Sequence, residues 1–145
     1  EYSLYYKANS YFGKKEYQTS KGLFQEYLQK YKKGYFISKA KENIGIVDEV
    51  TGNVDGAISM YKMIKSEHND YISKHIDINI ARCYEIKTEW DTAYVYYKQF
   101  LEHEKNSGWV SWVYLRLKYM VNNNLINVEK DVIDKLIQSD TTFKS

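Results

Sequence analysis

The chain has 145 residues with a formal net charge of +2, and it contains no proline and only 7 glycines. The length predicts one domain, and few helix-breaking residues in a chain that is 43% hydrophobic predict mostly helix. The single cysteine, Cys83, excludes an internal disulfide and is predicted to be a small core residue. No apolar run approaches the ~20 residues that a membrane span needs.

The charge is unevenly distributed along the chain. Residues 1–45 carry 9 lysines against 4 acidic residues, and the remainder carries 12 basic against 15 acidic residues. A basic N-terminal half can face an acidic partner or anionic headgroups, although a solvated lysine-rich helix surface is the simpler interpretation. Arginine leads the recognition of bases and phosphates, so a chain whose arginines are Arg82 and Arg116 does not favour a dedicated nucleic-acid site.

Apolar residues at three- and four-residue spacing predict eight helices and no strand pairing. The predicted helices cover residues 3–12, 16–33, 38–50, 54–68, 71–87, 90–105, 109–121 and 128–137. The helices form short-loop pairs within one domain, residues 1–138, with units of about 1–36, 37–72, 73–108 and 109–138. The tail, 139–145, is expected to be frayed.

Several helix ends carry residues that favour caps. Gly34 is predicted to stop the second helix in a left-handed conformation, and Gly52 to end the third. Ser38, Asn53 and Asn127 are predicted to cap the starts of the third, fourth and eighth helices.

An internal repeat organises the chain, most clearly over residues 43–61, where Gly45 and Ala57 face each other across a Thr-Gly-Asn break. Small residues there let two helices approach closely. Five columns agree across three copies spaced 37 and 36 residues apart, and a fourth unit from Trp109 keeps only the helix–turn–helix form. The small–small–aromatic columns are Ala8, Ser20 and Phe24; Gly45, Ala57 and Tyr61; and Ala81, Ala93 and Tyr97.

This pattern resembles the tetratricopeptide repeat, closely over residues 1–105 and loosely over 109–137. The family's usual period is about 34 residues, so each unit here is two or three residues longer, and the proline that commonly closes a repeat is absent. The resemblance implies an all-α solenoid of about four antiparallel helix hairpins. It also implies a non-catalytic scaffold that binds other proteins.

The segment Phe24–Tyr31 resembles a narrower group, the BamD-like and CpoB-like proteins of the bacterial cell envelope. Their repeats carry the segment F-x-x-[FY]-L-x-x-[YF]-P, in which Lys32 stands here at the proline position. This resemblance implies a lipoprotein-like role in cell-envelope assembly and favours a periplasmic over a cytoplasmic location. The chain begins at Glu1 without methionine, so it is expected to be a cropped or processed piece whose missing targeting segment says little about location.

The family resemblance places a partner-binding groove on the first helix of each hairpin. Aromatic and amide side chains there suit a bound peptide or partner helix, although Tyr5, Phe12 and Ile78 can equally pack against neighbouring repeats. The implied groove residues are Tyr5, Asn9, Phe12, Glu42, Asn43, Ile46, Glu49, His75, Ile78, Asn79, Arg82, Glu85, Tyr114 and Lys118.

Two other function classes stay open. A regulatory helical domain could bind nucleic acid or a signalling partner through residues 7–41. A metal or small-molecule enzyme would need a site, and the best cluster, His68 and His75 with Glu67, Asp70 and Asp77, matches no zinc spacing. Without a phosphate loop or nucleophile motif, the sequence predicts no enzyme, no cofactor and no bound metal, and it expects Glu85 and Glu89 to be solvated.

Overall fold

The computed structural model describes residues 1–67 and 69–138, and within them every regular element is an α-helix. The predicted all-α class is confirmed. Short turns join most successive helices, and the first helix packs on the second and the third on the fourth, as the predicted hairpins require. The helices are α1 (Tyr2–Gly13), α2 (Tyr17–Lys30), α3 (Ile37–Val50), α4 (Val54–Glu67), α5 (Tyr71–Ile86), α6 (Trp90–His103), α7 (Val110–Asn122) and α8 (Lys130–Gln138).

Four of these helices, α1, α3, α5 and α7, end in the same turn. In α1 the residue after the cap, Lys15, has a φ of 62° and donates its amide to Phe12 O at 2.9 Å, while Glu16 N donates to Tyr11 O at 3.0 Å. This pair of hydrogen bonds is the Schellman motif, which satisfies the last carbonyls of a helix. The left-handed residues are Lys15, Gly52, Thr88 and Asn124, so successive turns are 37, 36 and 36 residues apart.

The turn at Asn124 places α7 in register with the other first helices. Asn124 N donates to Val121 O at 3.0 Å, and Leu125 N donates to Met120 O at 2.9 Å, as in the other three turns. The second helix of this unit starts late, because α8 begins at Lys130 whereas α2, α4 and α6 begin directly after their turns. The buried side chain of Ile126 lies in the segment between.

Three predicted caps are wrong. The second helix ends at Lys30, since Tyr31 leaves the helical region (φ −119°, ψ 73°), and Gly34 does not have a positive φ. Ser38 lies inside α3, which starts one residue before it at Ile37. Asn127 does not cap α8, because residues 127–129 are not helical. At the start of α3, Phe36 and Ile37 pack against the core of the first unit.

The predicted break between α3 and α4 is confirmed at both of its residues. Gly52 has a φ of 88°, in the left-handed region that glycine adopts without steric cost. Asn53 Oδ1 accepts a hydrogen bond from Gly56 N at 3.3 Å, which satisfies one of the free amides at the start of α4.

The chain divides into two compact units, Glu1–Ile76 and the residues from Asp77 onward, so the boundary falls within α5. In the first unit α1 packs on α2, α2 on α3, and α3 on α4. The core side chains around the first two hairpins include Tyr5, Ala8, Phe24, Tyr27, Ala40 and Ile44.

The small residues of the first unit make close contacts of two kinds. Ser20 Oγ donates to Ala8 O at 2.9 Å, so the first small pair joins α1 to α2 through a hydrogen bond. At Gly45 the space of a side chain is filled by an aromatic ring, because an added Cβ would lie 2.4 Å from Tyr61 Cε1. Gly45 therefore accommodates a ring as well as a neighbouring helix.

In the second unit α6 and α8 pack on α7 around a core that includes Ala81, Ala93, Tyr97, Phe100 and Leu117. Cys83 is buried with an exposed fraction of 0%, as the sequence predicts for a small core residue.

Candidate partner-binding surfaces

Two asparagines join the first helices of the first unit. Asn43 Nδ2 donates to Asn9 Oδ1 at 3.1 Å, and Asn9 Nδ2 donates to Tyr5 O one turn earlier at 3.3 Å. Asn43 is 8% exposed and Asn9 is half-buried. We call these two side chains the amide pair. The structure thus brings together two of the groove residues that the sequence predicted on different hairpins.

Four other predicted groove residues lie on the same two helices, and all are half-buried. Glu42 is paired with Lys39 at 2.5 Å, and Glu49 accepts a hydrogen bond from Tyr61 Oη at 2.5 Å. Ile46 lies one turn beyond Glu42 on α3. Phe12 packs edge-on against Tyr17, with ring centroids 5.6 Å apart. The two carboxylates therefore have internal partners, while Ile46 presents apolar surface.

Tyr5 and Ile78 belong to the hydrophobic cores of their units, which corrects their assignment to the groove. Tyr5 is 6% exposed and stacks on Phe36 with ring centroids 4.1 Å apart. Ile78 is 5% exposed within the core of the second unit. Both side chains pack inward because their first helices bury a wider arc than the predicted apolar stripe.

His75 lies in the first turns of α5. Its ring packs against Tyr71 with centroids 4.2 Å apart, and His75 Nδ1 lies 2.7 Å from Tyr71 O. Local contacts therefore hold the imidazole. His68, its predicted neighbour in the candidate metal cluster, lies outside the described residues.

Glu85 is not solvated, contrary to the sequence-based expectation, whereas Glu89 is exposed. The Glu85 side chain is 8% exposed, and it accepts a hydrogen bond from Tyr97 Oη at 2.6 Å. Arg116 Nε lies 2.9 Å from each of its oxygens, and Arg116 Nη2 also donates to Oε2. We call these three residues the Glu85 cluster. They connect α5, α6 and α7 within the second unit.

The Glu85 cluster shifts the protonation equilibria of its members. Burial, and then the hydrogen bond to Glu85, raise the pKa of Tyr97 well above its ordinary value. The hydrogen bond to Glu85 also raises the pKa of Arg116. At neutral pH the cluster therefore consists of a protonated tyrosine and an ion pair, an arrangement that holds the three helices together.

Tyr114 and Lys118 converge on one carboxylate of α8. Tyr114 Oη donates to Asp134 Oδ1 at 2.8 Å, and Lys118 Nζ lies 2.9 Å from the same oxygen. The hydrogen bond from Lys118 lowers the pKa of Asp134. These predicted groove residues thus hold α7 against α8. Asn79 and Arg82, the other predicted residues of this unit, are half-buried on α5.

Sequence reasoning missed an exposed apolar face on α7. Trp112, Leu115 and Tyr119 are 42%, 64% and 47% exposed, and Arg116 lies among them with its side chain 33% exposed. These four residues, which we call the α7 face, line a shallow cavity of about 300 Å³. Their spacing of three and four residues was a detectable signal, because it places all four on one side of a helix.

The basic N-terminal half is partly neutralised by ion pairs. Lys21 contacts Asp48 at 2.5 Å, Lys39 contacts Glu42, and Lys41 contacts Glu67. Three of the 9 lysines before residue 46 are therefore paired with carboxylates of the same unit. This weakens the interpretation of residues 7–41 as a nucleic-acid surface, because charge that is already neutralised releases fewer counterions.

The part of the chain that the structure describes shows neither a metal-binding cluster nor a membrane-spanning helix. That part contains no group of three or more His, Cys, Asp or Glu side chains that could hold a metal ion. None of its helices is long and apolar enough to cross a bilayer.

Comparison with known proteins identifies the repeat. Residues 2–34 match the family model described as Tetratricopeptide repeat. The match supports a tetratricopeptide repeat protein. It covers α1 and α2, the first hairpin, whose closing turn recurs after α3, α5 and α7. No curated protein matches the chain.

Tetratricopeptide repeats generally mediate protein–protein interaction, and the family is generally a non-catalytic scaffold. The chain's resemblance to this family is therefore supported by the family model, by the all-helical fold and by the four equivalent turns.

Proposed function

We propose that this chain is a non-catalytic interaction module that binds a peptide or a helical segment of another protein along its first helices. The observation that carries the proposal is the tetratricopeptide repeat match over residues 2–34, the hairpin that supplies Asn9. The amide pair and Ile46 of the first unit are the proposed contact residues.

The amide pair suits a peptide main chain. A primary amide has two N–H donors, and Asn9 and Asn43 each use one of them in the contacts described above. The second N–H of each amide is suited to a backbone carbonyl of a bound segment. Ile46, one turn away on α3, adds apolar contact, and apolar anchors together with main-chain hydrogen bonds are common ways to hold a helical or extended peptide.

A second set of proposed contacts lies in the second unit. The four equivalent turns place Asn79 in the column of Asn43, and Arg82 in the column of Asn9 and Ile46. Arginine at an interface supplies planar, bidentate hydrogen bonding and is frequent among residues that dominate binding energy. We therefore assign Asn79 and Arg82 to partner contact, separately from the amide pair.

A role in bacterial cell-envelope assembly is the finer part of the proposal. It is supported by the segment Phe24–Tyr31 and its resemblance to envelope proteins. Lys32, at the proline position of that segment, follows Tyr31 in a turn, so the chain leaves the helix there without proline. Cell fractionation tests this part: recovery with the envelope supports it, and recovery with the cytosol contradicts it.

The proposed function is tested by affinity capture from native cell extract, comparing wild type with the double variant Asn43→Ala/Arg82→Ala. A matched control, Met63→Ala/Val95→Ala, alters exposed residues of the second helices α4 and α6. We expect one protein to be captured by wild type and by the control and to be lost with the double variant. Capture that survives in the double variant, with thermal unfolding unchanged, contradicts the assignment.

A further inference from the structure

The α7 face occupies helix positions that are buried elsewhere in the same chain. The equivalent turns at Gly52 and Asn124 align α3 with α7 at an offset of two repeats. In α3 the four aligned side chains are between 0% and 8% exposed, whereas in α7 three of them are between 42% and 64% exposed. The aligned pairs are Ala40 and Trp112, Asn43 and Leu115, Ile44 and Arg116, and Val47 and Tyr119.

In α3 two of these positions, those of Ala40 and Ile44, are covered by a helix. Ala40 and Ile44 share one buried cluster with Phe24 and Tyr27 of α2, and α2 packs directly on α3. In the first unit α2 thus covers part of this face with apolar residues three and four positions apart, whereas its counterpart α6 packs on α7 and leaves the α7 face exposed. The same positions on α7 carry larger side chains and remain open to solvent.

We propose that the α7 face binds an amphipathic α-helix of a partner protein, with aliphatic residues facing Trp112 and Leu115 and an acidic residue facing Arg116. This inference rests on the proposed function and assigns it a second surface, separate from the amide pair. The four residues span two turns of α7, about 10 Å along the axis, which matches two turns of a partner helix.

Arg116 indicates that the partner helix carries a carboxylate. Glu85 receives hydrogen bonds from its Nε and Nη2, and a guanidinium has five N–H donors, so donors remain for a second carboxylate. The guanidinium also lies 4.7 Å from the ring centroid of Tyr119, which holds it flat beside the apolar side chains. The remaining N–H donors of Arg116, held within an aromatic patch, favour a carboxylate among the apolar residues of a docked helix.

The residue types of the α7 face fit a binding site better than a solvated surface. Tryptophan, tyrosine and arginine are enriched among the residues that dominate protein–protein binding energies. Trp112 is positioned by neighbours in its own unit, with its ring 6.1 Å from Tyr97 and 6.3 Å from Trp109 between centroids. The Glu85 cluster in turn fixes Arg116. A face held in place in this way needs little ordering when a helix binds.

The probe for this inference is a displayed library of amphipathic helical peptides, about four turns long. The library is selected on the wild-type chain and counter-selected on Leu115→Glu, which places a charge at the most exposed position of the face. Val95→Glu, on the exposed side of α6, is the matched control, since Val95 is 46% exposed. Circular dichroism of all three proteins confirms that the variants fold.

We expect enriched peptides to carry aliphatic residues at three- and four-residue spacing with at least one acidic residue. Their affinity should fall at least about tenfold with Leu115→Glu or Trp112→Ala and stay unchanged with Val95→Glu. Failure to enrich any helical peptide sensitive to Leu115→Glu overturns the inference. Concentration-dependent self-association of the chain that is abolished by Leu115→Glu also overturns it, because the occupant is then a second copy. Loss of capture in Asn43→Ala/Arg82→Ala would still support the proposed function in either case.

Discussion

At the residue scale, the ring of Tyr61 leaves no room for a side chain at Gly45. An added Cβ would lie 2.4 Å, 2.8 Å and 3.0 Å from three atoms of that ring. The ring cannot move aside easily, because Tyr61 is fully buried and its hydroxyl donates to Glu49. We expect Gly45→Ala to lower the free energy of unfolding by about 1–3 kcal/mol, as overpacking does, measured by urea denaturation.

A matched glycine separates packing from helix propensity. Gly22 lies inside α2, and an added Cβ there meets nothing within 4 Å. We expect Gly22→Ala to raise the free energy of unfolding by about 0.4–1 kcal/mol, because alanine is the better helix former. If both alanine variants were stabilised alike, the steric role of Tyr61 would be wrong.

The Glu85 cluster predicts a large effect from one carboxylate. Glu85→Ala leaves the buried hydroxyl of Tyr97 without its acceptor and removes the ion-pair partner of Arg116. We expect a loss of about 1–3 kcal/mol in the free energy of unfolding. Glu89→Ala is the control, since Glu89 is exposed and its pair with Lys87 lies at the surface, where such pairs contribute little. Equal effects of the two variants would contradict the cluster.

Two buried tyrosines predict instability at alkaline pH. Burial raises the pKa of Tyr27 to about 12, and the hydrogen bond to Glu1 adds to the rise. The pKa of Tyr97 is raised as well. Both therefore keep their protons in the folded state where an unfolded tyrosine, with a pKa of about 10, releases its own. The free energy of unfolding should fall as the pH rises above about 10.

Phenylalanine variants test whether these two tyrosines cause the loss of stability at alkaline pH. Tyr97→Phe and Tyr27→Phe should each flatten the decline in unfolding free energy, measured by urea denaturation between about pH 8 and about pH 11. Tyr35→Phe is the control, because Tyr35 is 81% exposed. A slope that changes as much in the control as in the buried-tyrosine variants would show that these two residues do not cause it.

At the element scale, the four Schellman turns predict a graded response to glycine. Thr88 has a φ of 60° and is β-branched, so Thr88→Gly should raise the free energy of unfolding by about 1 kcal/mol. Asn124→Gly should change it little, because asparagine tolerates this conformation. Gly52→Ala should lower it by about 1–2 kcal/mol. Thermal unfolding of the three variants gives the order, and an equal response of Thr88 and Asn124 would contradict it.

Most of the helices could be predicted from sequence, because each buries a periodic stripe that appears directly in the apolar pattern. The equivalence of the fourth turn could not. The left-handed positions of the four turns are occupied by four different residue types, Lys15, Gly52, Thr88 and Asn124. No single residue preference therefore marks the backbone conformation that the turns share. Gly34 shows the converse, since a residue that favours a left-handed stop lies outside the helix end.

At the scale of the whole molecule, the sequence predicted which helices would carry polar side chains but not which side chains would pair internally. Asn9 and Asn43 were both predicted as groove residues, but their hydrogen bond to each other was not predicted. Glu85 pairs with Arg116, 31 residues away, and no local pattern gives that contact. The spacing of Trp112, Leu115, Arg116 and Tyr119 places them on one side of α7, but their exposure follows only from how the neighbouring helices pack.

The central claim is that this chain, whose first hairpin matches the tetratricopeptide repeat, binds another protein through its first helices. Site-specific photo-crosslinking in native cells tests it most directly, with the photoreactive residue at Ile46 of α3 or at Met63 of α4. Both side chains reach solvent, so each probe is accessible. We predict a discrete crosslinked protein at Ile46 and none at Met63. Crosslinks at Met63 alone would contradict the claim, because they would place the partner on the second helices.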